Sequence, residues 1–369
     1  MKKLILIIRW IVGLLFIFSG LVKANDPLGL SYKMQEFFEA WNMHGLHDFT
    51  LSMAVLMNAF EIIAGVALLV GWRMRLFSWL LLLLIIFFTF LTAYATYATN
   101  PDGSLKFRSC GCFGDCIPLD PKQSFWKDII LLVLTLILFA YRNKIQPVFK
   151  SAFLNAATVI VLGLMSFVMQ GYVLQYLPVV DCLPYKKSNH LLPLREIPAD
   201  AIPDQFDIRF IYSKNGLQQE FPMTALPDSS WTFVDRKQVL VKKGKNNEPV
   251  IKDFIFTDSS GNDVTAEILN NKEPYYLLFL LKLDDVDTEM KWVRQLEELS
   301  KTSKVYIVTA VPEQTKDFFK SSAQLQKIPV FSCDGTAIKT AARCVPTLFK
   351  MNQDLVVDKR SGADAANWE

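Results

Sequence analysis

Long apolar runs separated by short polar segments characterise the first half of the chain. Five such runs lie before residue 180, at Leu4–Lys23, Leu51–Trp72, Leu76–Thr96, Phe125–Tyr141 and Ala152–Leu177. A helix that crosses a bilayer needs about 17 to 25 predominantly apolar residues, so the pattern predicts five transmembrane helices. The first run exceeds the apolar core of about 7–15 residues that is typical of a signal peptide, and we expect it to be a span.

Basic residues near the ends of the runs predict the orientation, because short cytoplasmic loops retain Lys and Arg. They lie before the first run, between the second and third, and between the fourth and fifth, at Lys2, Lys3, Arg73, Arg75, Arg142, Lys144 and Lys150. We therefore expect a multi-pass protein of the inner (cytoplasmic) membrane with a cytoplasmic N-terminus. The segments 24–50 and 97–124, everything after about residue 180, and all six cysteines would then face the periplasm of a bacterial cell.

The second half changes to short runs typical of strands. Pro178 and Pro184 end the fifth apolar run, and the proline-containing segment 181–203 predicts a linker. Alternating stretches such as Phe206–Tyr212, followed later by Phe254–Phe256, predict a β-rich segment over 204–270. Over 271–362 apolar strands alternate with helical stretches, from Pro274–Leu283 through Glu289–Ser300 to Lys304–Thr309 and beyond. This alternation predicts an α/β domain.

Composition excludes several classes of function. Hydrophobic residues make up 51% of the chain and charged residues 20%, with a formal net charge of +3. A charge this close to neutral, without a basic patch interleaved with aromatic residues, argues against nucleic acid as a partner. The sequence also has no glycine-rich phosphate loop and no histidines at metal-ligand spacing, so we expect no metal site. The segment Tyr32–Leu46 has the amphipathic pattern of an interfacial helix, and a helix packed within the loop is the alternative.

Three of the six cysteines lie within seven residues, in the sequence Ser109-Cys110-Gly111-Cys112-Phe113-Gly114-Asp115-Cys116. Thiols spaced this closely can exchange a disulfide without large backbone movement, and the glycines permit the tight turns that this requires. Cys110–Cys112 would be a strained and labile pair, whereas Cys112–Cys116 or Cys110–Cys116 would be more relaxed. The alternatives are a structural disulfide with a spare thiol and, less favoured, a metal site with Asp115 as the fourth ligand.

Three further cysteines are candidates for a relay. Cys182 directly follows the fifth span on the predicted outer face and could pair with the spare thiol, form a fixed linker disulfide or remain a lone surface thiol. Cys333 and Cys344 lie near the end of the chain, where a disulfide between them, a relocated reactive pair and two structural cysteines are all open.

Two ionisable residues lie within the first two spans. Arg9 is close to the cytoplasmic end of the first, where it could snorkel to the headgroups, and Glu61 is near the middle of the second. An ionisable group at this depth costs about 2.5 kcal/mol or more and is usually partnered inside the bundle. Glu61 is therefore a candidate for a protonated packing group, for a proton or ligand site, or for a pair with Arg9.

The first half resembles a known family of membrane proteins. Arg9, Gly13, Ser19-Gly20, Lys23, Asp26-Pro27 and Gly29, followed by Glu61, Gly65 and Gly71, are similar to DoxX-type four-helix proteins. The motif Cys110-Gly111-Cys112-Phe113-Gly114 and the later Trp126-Lys127-Asp128 resemble the MauE branch, the methylamine-utilisation membrane proteins. The resemblance implies a four-helix domain over 1–145, with a fifth span added within 146–180. It also implies disulfide handling for exported proteins and, by analogy with similar bundles, a membrane quinone as electron acceptor.

The end of the chain resembles thioredoxin-like domains. The order of strands and helices over 271–362 and the segment Val345-Pro346-Thr347 carry the resemblance, which implies a cis-proline at Pro346. The position where that family has Cys-x-x-Cys reads Leu283-Asp284-Asp285-Val286-Asp287-Thr288, without a cysteine. Acidic side chains cannot replace thiolates in disulfide exchange, so we expect a domain that binds or positions substrates.

The leading hypothesis is a membrane thiol–disulfide oxidoreductase with Cys110, Cys112 and Cys116 as the reactive set. Its partners would be membrane lipid and an exported client protein or periplasmic thiol protein. The alternative is a scaffold or complex subunit without enzymatic activity, whose cysteines form static disulfides and whose thioredoxin-like module binds protein. Passage of an ion or small molecule by way of Glu61 is a third hypothesis.

Overall fold

The computed structural model describes residues 2–100, 104–107, 109–242, 244–281, 283 and 291–368. It consists of an apolar helical part followed by a part that contains two β-sheets. Six helices form the first part: α1 Lys2–Ala24, α2 Pro27–Ala40, α3 Thr50–Val70, α4 Met74–Tyr97, α5 Pro121–Ala140 and α6 Ala152–Tyr176. All except α2 belong to the five segments that are long and apolar enough to cross a membrane. The predicted number of spans is thereby confirmed.

Small residues determine how closely the first and third helices approach. A Cβ added at Gly65 would lie 2.8 Å from the carbonyl oxygen of Gly13, and one added at Gly13 would lie 2.5 Å from Leu69. Close helix contact in a membrane relies on such small side chains, because lipid supplies no hydrophobic force between helices. Gly13 and Gly65 therefore allow the close crossing of α1 and α3.

The helix α2 and the loop between α4 and α5 lie at the end of the bundle that carries Ala24 and Pro121, which we call the loop side. Asp26 caps α2 by accepting a hydrogen bond from the Gly29 amide at 3.0 Å. Phe37 of α2 stacks on Phe107 of the loop at a centroid distance of 4.5 Å. The predicted amphipathic segment thus contains a helix that packs its aromatic face on the loop side of the bundle.

Two sheets follow the bundle. The strands β1 Gln205–Lys214, β2 Leu217–Pro222 and β3 Thr232–Lys242 form an antiparallel sheet in the order β2-β1-β3. The second sheet has the order β6-β5-β4-β7-β8, from β4 Tyr275–Leu280, β5 Lys304–Thr309, β6 Val330–Ser332, β7 Thr347–Asn352 and β8 Leu355–Ser361. Its first three strands are parallel, while β7 pairs antiparallel with β4 and β8.

Short helices connect the elements of this region. They are α7 Leu191–Leu194, α8 Thr265–Leu269, α9 Lys291–Thr302, α10 Pro312–Phe319 and α11 Gly335–Ala341. The predicted helix Glu289–Ser300 corresponds to α9, although its first two residues lie outside the described part of the chain. The predicted Cys-x-x-Cys position also falls on residues that the structure does not describe, except for Leu283.

Two segments differ from their sequence predictions. Residues 181–203, predicted as a linker, pack on the second sheet, where Tyr185 and Leu191 are buried in its core. Phe254 and Phe256, predicted as part of a strand, are buried in the same core, and the structure assigns no strand to their segment. Each difference has the same cause, because burial of large apolar side chains against the sheet fixes these segments without strand pairing.

Candidate functional site

The cysteine loop joins α4 to α5 and turns sharply at two glycines. Gly111 has a φ of +70° and Gly114 a φ of +55°, values that side chains with a Cβ rarely adopt. A Cβ at Gly111 would also lie 3.0 Å from Cγ of Lys33 on α2. These turns fold the loop against the bundle and allow its cysteines to face different neighbours.

Cys110 and Cys112 carry free thiols whose sulfur atoms lie 2.9 Å apart. Their shared hydrogen bond lowers the pKa of the Cys110 thiol to about 6, against the opposing effect of burial. The Cys112 amide and the charge of Lys127 lower it further. The same hydrogen bond and burial raise the pKa of Cys112. The pair therefore contains one thiolate nucleophile and one protonated thiol at neutral pH.

Cys116 forms a disulfide with Cys182, which follows the last membrane helix. Two of the disulfides that the sequence left open, Cys112–Cys116 and Cys110–Cys116, are therefore not formed. The disulfide joins residues 66 positions apart and ties the cysteine loop to the start of the segment that leads into the sheets. Both of its cysteines are half-buried, and Cys182 lines a cleft of about 570 Å³ between α2, the loop and α11.

Buried polar groups lie directly beneath the cysteine loop. The Ser19 hydroxyl donates to the backbone carbonyl of Cys112 at 3.2 Å and lies 2.9 Å from Oε2 of Glu61. Glu61 is fully buried and forms an ion pair with Lys23, which is itself 3% exposed. The loop is thus connected through α1 to the ionisable group in the middle of α3.

The proposed pairing of Arg9 with Glu61 does not occur. Arg9 is buried and donates from Nε to the carbonyl oxygen of Leu68 at 2.8 Å and from Nη1 to that of Gln146 at 3.1 Å. These carbonyls lie at the end of the bundle opposite the loop, where α3 ends in a left-handed Gly71. Arg9 therefore donates to backbone carbonyl groups at this end of the bundle and is not a partner of the loop.

A second buried polar group connects α4 and α5 below the loop. Asp128 accepts a hydrogen bond from the Thr92 hydroxyl at 3.0 Å, and its Oδ1 lies 2.9 Å from Nζ of Lys127. The ammonium of Lys127 also lies 4.7 Å from the centroid of the Phe113 ring. Lys127 is therefore held beside the cysteine loop, where its charge favours the thiolate.

An apolar cavity of about 240 Å³ lies beside the thiol pair. Its wall is formed by aromatic side chains of α2, of the residue that follows it and of α4, together with methionines of α2 and α3, namely Phe37, Phe38, Trp41, Phe87, Phe88, Met34, Met53 and Met57. Cys110, Cys112, Ser19, Lys23 and Lys127 line its polar end. The cavity thus brings the thiols into contact with a largely apolar space.

The sheet-containing part docks on the loop side through ion pairs whose basic side chains are buried. Nε of Arg343 lies 2.8 Å from Oδ2 of Asp26, and its Nη2 lies 2.6 Å from Oδ2 of Asp115 in the cysteine loop. Lys359, 3% exposed, lies 2.9 Å from Asp181, the neighbour of Cys182. These contacts hold α11 and β8 against the loop and its disulfide.

The two remaining cysteines are free thiols that lie apart from the pair. Cys333 is buried in the core of the second sheet, and burial raises its pKa to about 12. Cys344 contacts the carbonyl oxygens of Val173 and Leu174 at the end of α6, and burial raises its pKa to about 11. A disulfide between them is not formed. The peptide bond between Val345 and Pro346 is cis.

Sequence reasoning identified the cysteines and Glu61 but missed most of their partners. Lys23 and Lys127 occur in the family-like patterns, which give neither residue a role. Ser19 gave no chemical signal, and Arg343 lies more than 200 residues from Asp115 in the sequence. Within the described part of the chain, no group of three or more His, Cys, Asp or Glu side chains is arranged to hold a metal ion.

Comparisons with known proteins bear on two parts of the chain. Residues 206–243 match the model of a domain of unknown function, DUF8463. No curated protein and no solved structure matches the chain. Residues 1–141, which contain the first four spans and the complete cysteine loop, match the family model described as methylamine utilisation protein MauE. The first part of the chain is therefore a MauE-like, multi-pass membrane protein.

Proposed function

We propose that the protein is a membrane thiol–disulfide oxidoreductase that acts on exported client proteins from the outer face of the inner membrane. The observation that carries this proposal is the Cys110–Cys112 pair, with sulfur atoms 2.9 Å apart and a pKa of about 6 at Cys110. Disulfide exchange requires a thiolate as the nucleophile. A cysteine with a purely structural role does not require its thiolate to be stabilised. The disulfide between Cys116 of the same loop and Cys182 supplies the second redox pair.

The exchange between the two pairs needs no external reagent. In the oxidising direction, a thiolate of the reduced Cys116/Cys182 pair attacks the Cys110–Cys112 disulfide, and a mixed disulfide forms as one Cys110/Cys112 thiolate leaves. The second thiol of the attacking pair then forms the Cys116–Cys182 bond and releases the other thiolate. Two electrons pass to Cys110/Cys112, whose Cys-x-Cys disulfide is strained and therefore the stronger oxidant.

The client would react at the second pair. A dithiol of an exported protein reduces Cys116–Cys182, and its two thiols become one disulfide while two electrons enter the loop. The cleft of about 570 Å³ supports this assignment, because Cys182 is among the residues that line it. The name of the matched family also connects the proposal to methylamine utilisation, the process in which we would first seek a client.

We propose that the C-terminal domain is thioredoxin-like and binds clients without a redox role of its own. The parallel β4, β5 and β6 beside antiparallel β7 and β8, with a cis-proline before β7, support this fold. The raised pKa values of Cys333 and Cys344 support the absence of redox chemistry, because both thiols stay protonated at neutral pH. The periplasmic location of this domain follows from the basic residues of the predicted cytoplasmic loops.

Full-length protein oxidised with diamide and mixed with a reduced dithiol peptide provides the test. The wild type should accept two equivalents of dithiol, one for each redox pair. Cys112→Ser and Cys182→Ser should each lose exchange between the pairs, and Cys112→Ser should accumulate a mixed disulfide through Cys110 that resists turnover. Cys333→Ala is the matched control and should exchange like the wild type. Unchanged client oxidation by Cys112→Ser would falsify the mechanism.

A scaffold remains the second candidate because of one observation. The disulfide Cys116–Cys182 lies between the ion pairs Arg343–Asp115 and Lys359–Asp181. In the scaffold hypothesis, its role is purely structural and it holds the C-terminal domain against the bundle. In that case, substitution of Cys110 and Cys112 by serine would leave the cellular function intact, while Cys182→Ser would abolish it. The two hypotheses therefore predict opposite results for the first pair.

A further inference from the structure

We infer that the end of the bundle opposite the loop side carries a binding site for a phosphate group, which an anionic phospholipid supplies. The site is a cavity of about 480 Å³ between the α3–α4 connection and the segment that follows α5, and we call it the arginine pocket. Arg73, Arg75 and Arg142 line the pocket, and none of the described residues around it is acidic. The inference goes beyond the thiol chemistry and does not depend on it.

The two connections that form the arginine pocket are held together by hydrogen bonds. The Val148 amide donates to the carbonyl oxygen of Val70, the last residue of α3, at 2.9 Å. Arg75 donates from Nε to Oδ1 of Asn143 at 3.1 Å. These contacts bring together basic residues that lie almost 70 positions apart in the sequence, since Arg75 and Asn143 are separated by 68 positions. The pocket is therefore a product of the fold.

The arginines are oriented by the protein and keep donors for a ligand. Arg142 donates from Nη1 to the carbonyl oxygen of Phe139 at 2.7 Å, and its Cζ lies 4.1 Å from the centroid of the Phe139 ring. Cζ of Arg73 lies 5.4 Å from the centroid of the Trp72 ring. A guanidinium has five N–H donors, and the described hydrogen bonds of Arg75 and Arg142 use one each. Two such groups can bind phosphate oxygens in the bidentate geometry that guanidinium favours.

A fourth guanidinium lies directly beneath the arginine pocket. Arg9 is 6% exposed, and its hydrogen bonds within the described part of the chain go to neutral groups, the carbonyl oxygens of Leu68, Leu69 and Gln146. Its Nη2 would lie 2.8 Å from a Cβ at Gly71, which lines the pocket. A buried charge is costly without an opposite charge nearby. An anion bound over Gly71 would lower that cost, whereas a neutral ligand would not.

The surroundings of the arginine pocket favour a lipid as the source of the phosphate. Leu76 lines the pocket and is 48% exposed, and Trp79, one turn further along α4, is 52% exposed. The Trp79 ring lies 4.6 Å from that of Phe139, the residue on which Arg142 rests. Since α4 is one of the segments that could cross a membrane, acyl chains would lie against Leu76 and Trp79. Basic pockets at the cytoplasmic ends of membrane helices bind anionic lipid head groups in this way.

Native mass spectrometry of the delipidated full-length protein tests the inference. The wild type should bind added phosphatidylglycerol, which is anionic, more tightly than phosphatidylcholine, which has no net charge. The double variant Arg75→Gln/Arg142→Gln removes charge-assisted hydrogen bonds and should lose about tenfold or more in affinity for phosphatidylglycerol. The double variant Lys144→Gln/Lys150→Gln is the matched control. It removes two exposed charges of the same connection from outside the pocket and should bind like the wild type.

The melting temperature of the wild type in detergent gives a readout that does not depend on the folding of a variant. Phosphatidylglycerol should raise it and phosphatidylcholine should not, because a ligand that binds only the folded state stabilises that state. If inorganic phosphate alone raises the melting temperature and displaces phosphatidylglycerol, the lipid is overturned as the source of the phosphate. Equal binding of the two lipids by the wild type, or equal affinities of the two double variants for phosphatidylglycerol, would overturn the site itself.

Discussion

Arg343 of the C-terminal domain lies 2.6 Å from Asp115, the residue that precedes the disulfide cysteine Cys116. The same guanidinium lies 2.8 Å from Asp26, which also caps α2. One buried cation therefore connects the sheet-containing part with the helix on the loop side and with the cysteine loop. Its position makes the stability of the docked domain depend on the same residues that hold the disulfide in place.

Replacement of Arg343 by methionine should loosen both contacts. Removal of one partner of a buried ion pair costs about 3–5 kcal/mol, because the remaining charges stay buried without compensation, although the partial exposure of Asp115 reduces the effect. We expect a lower melting temperature in detergent and faster reduction of Cys116–Cys182 by dithiothreitol. Lys320→Met breaks an exposed pair with Asp317, is expected to cost about 0–1 kcal/mol, and serves as the control. Equal effects of the two substitutions would contradict this role.

The rate of alkylation of Cys110 should depend on pH with a midpoint near 6. The lowered pKa means that the thiolate predominates above this value, so reaction with iodoacetamide should rise from pH 5 to 7 and then level off. Cys344, whose pKa is raised to about 11, should remain unlabelled over that range in the same sample. Mass spectrometry of the digested protein measures both residues together.

Variants of Cys112 separate the causes of this shift. Cys112→Ala removes the hydrogen bond that contributes most to the lowered pKa, so the midpoint for Cys110 should move up toward the ordinary value of 9.0. Cys112→Ser retains a hydroxyl donor and should give an intermediate midpoint. A midpoint that stays near 6 in Cys112→Ala would show that the thiol–thiol contact is not the cause.

The buried pair Lys23–Glu61 should behave as one unit. Glu61→Gln leaves the Lys23 ammonium without its partner, and Lys23→Met leaves a buried carboxylate, so each should destabilise the protein by about 3–5 kcal/mol. The double variant removes both charges and should be less destabilised than the sum of the single variants. Melting temperatures of the four proteins, followed by tryptophan fluorescence, provide the cycle. Strict additivity would mean that the two side chains do not interact.

The local pattern was sufficient for the helices of the membrane part. The five apolar runs end within a few residues of the helices observed, except that α5 begins four residues before the predicted Phe125, at Pro121. This difference arises because Asp120, Pro121 and Gln123 form a polar helix start with a capping box, which hydropathy alone does not reveal. Gly13 and Gly65, already visible in the family-like pattern, lie at the α1–α3 contact.

The segment 181–203 shows where the local pattern was insufficient. Its prolines and charges are typical of a linker, yet Tyr185 and Leu191 are less than 3% exposed in the core of the second sheet. Burial of these side chains depends on a surface formed by residues more than 60 positions later, among them Phe254 and Phe279. Periodicity within the segment contains no information about such a surface.

The sequence by itself determined the membrane spans and the close spacing of Cys110, Cys112 and Cys116, because each depends on residues near one another in the chain. The tertiary structure decided which thiols pair, which base neutralises Glu61 and which thiol becomes acidic. Disulfide geometry, burial and Coulomb interaction depend on distances across the fold, from Cys116 to Cys182 and from Lys23 to Glu61. No linear pattern contains those distances.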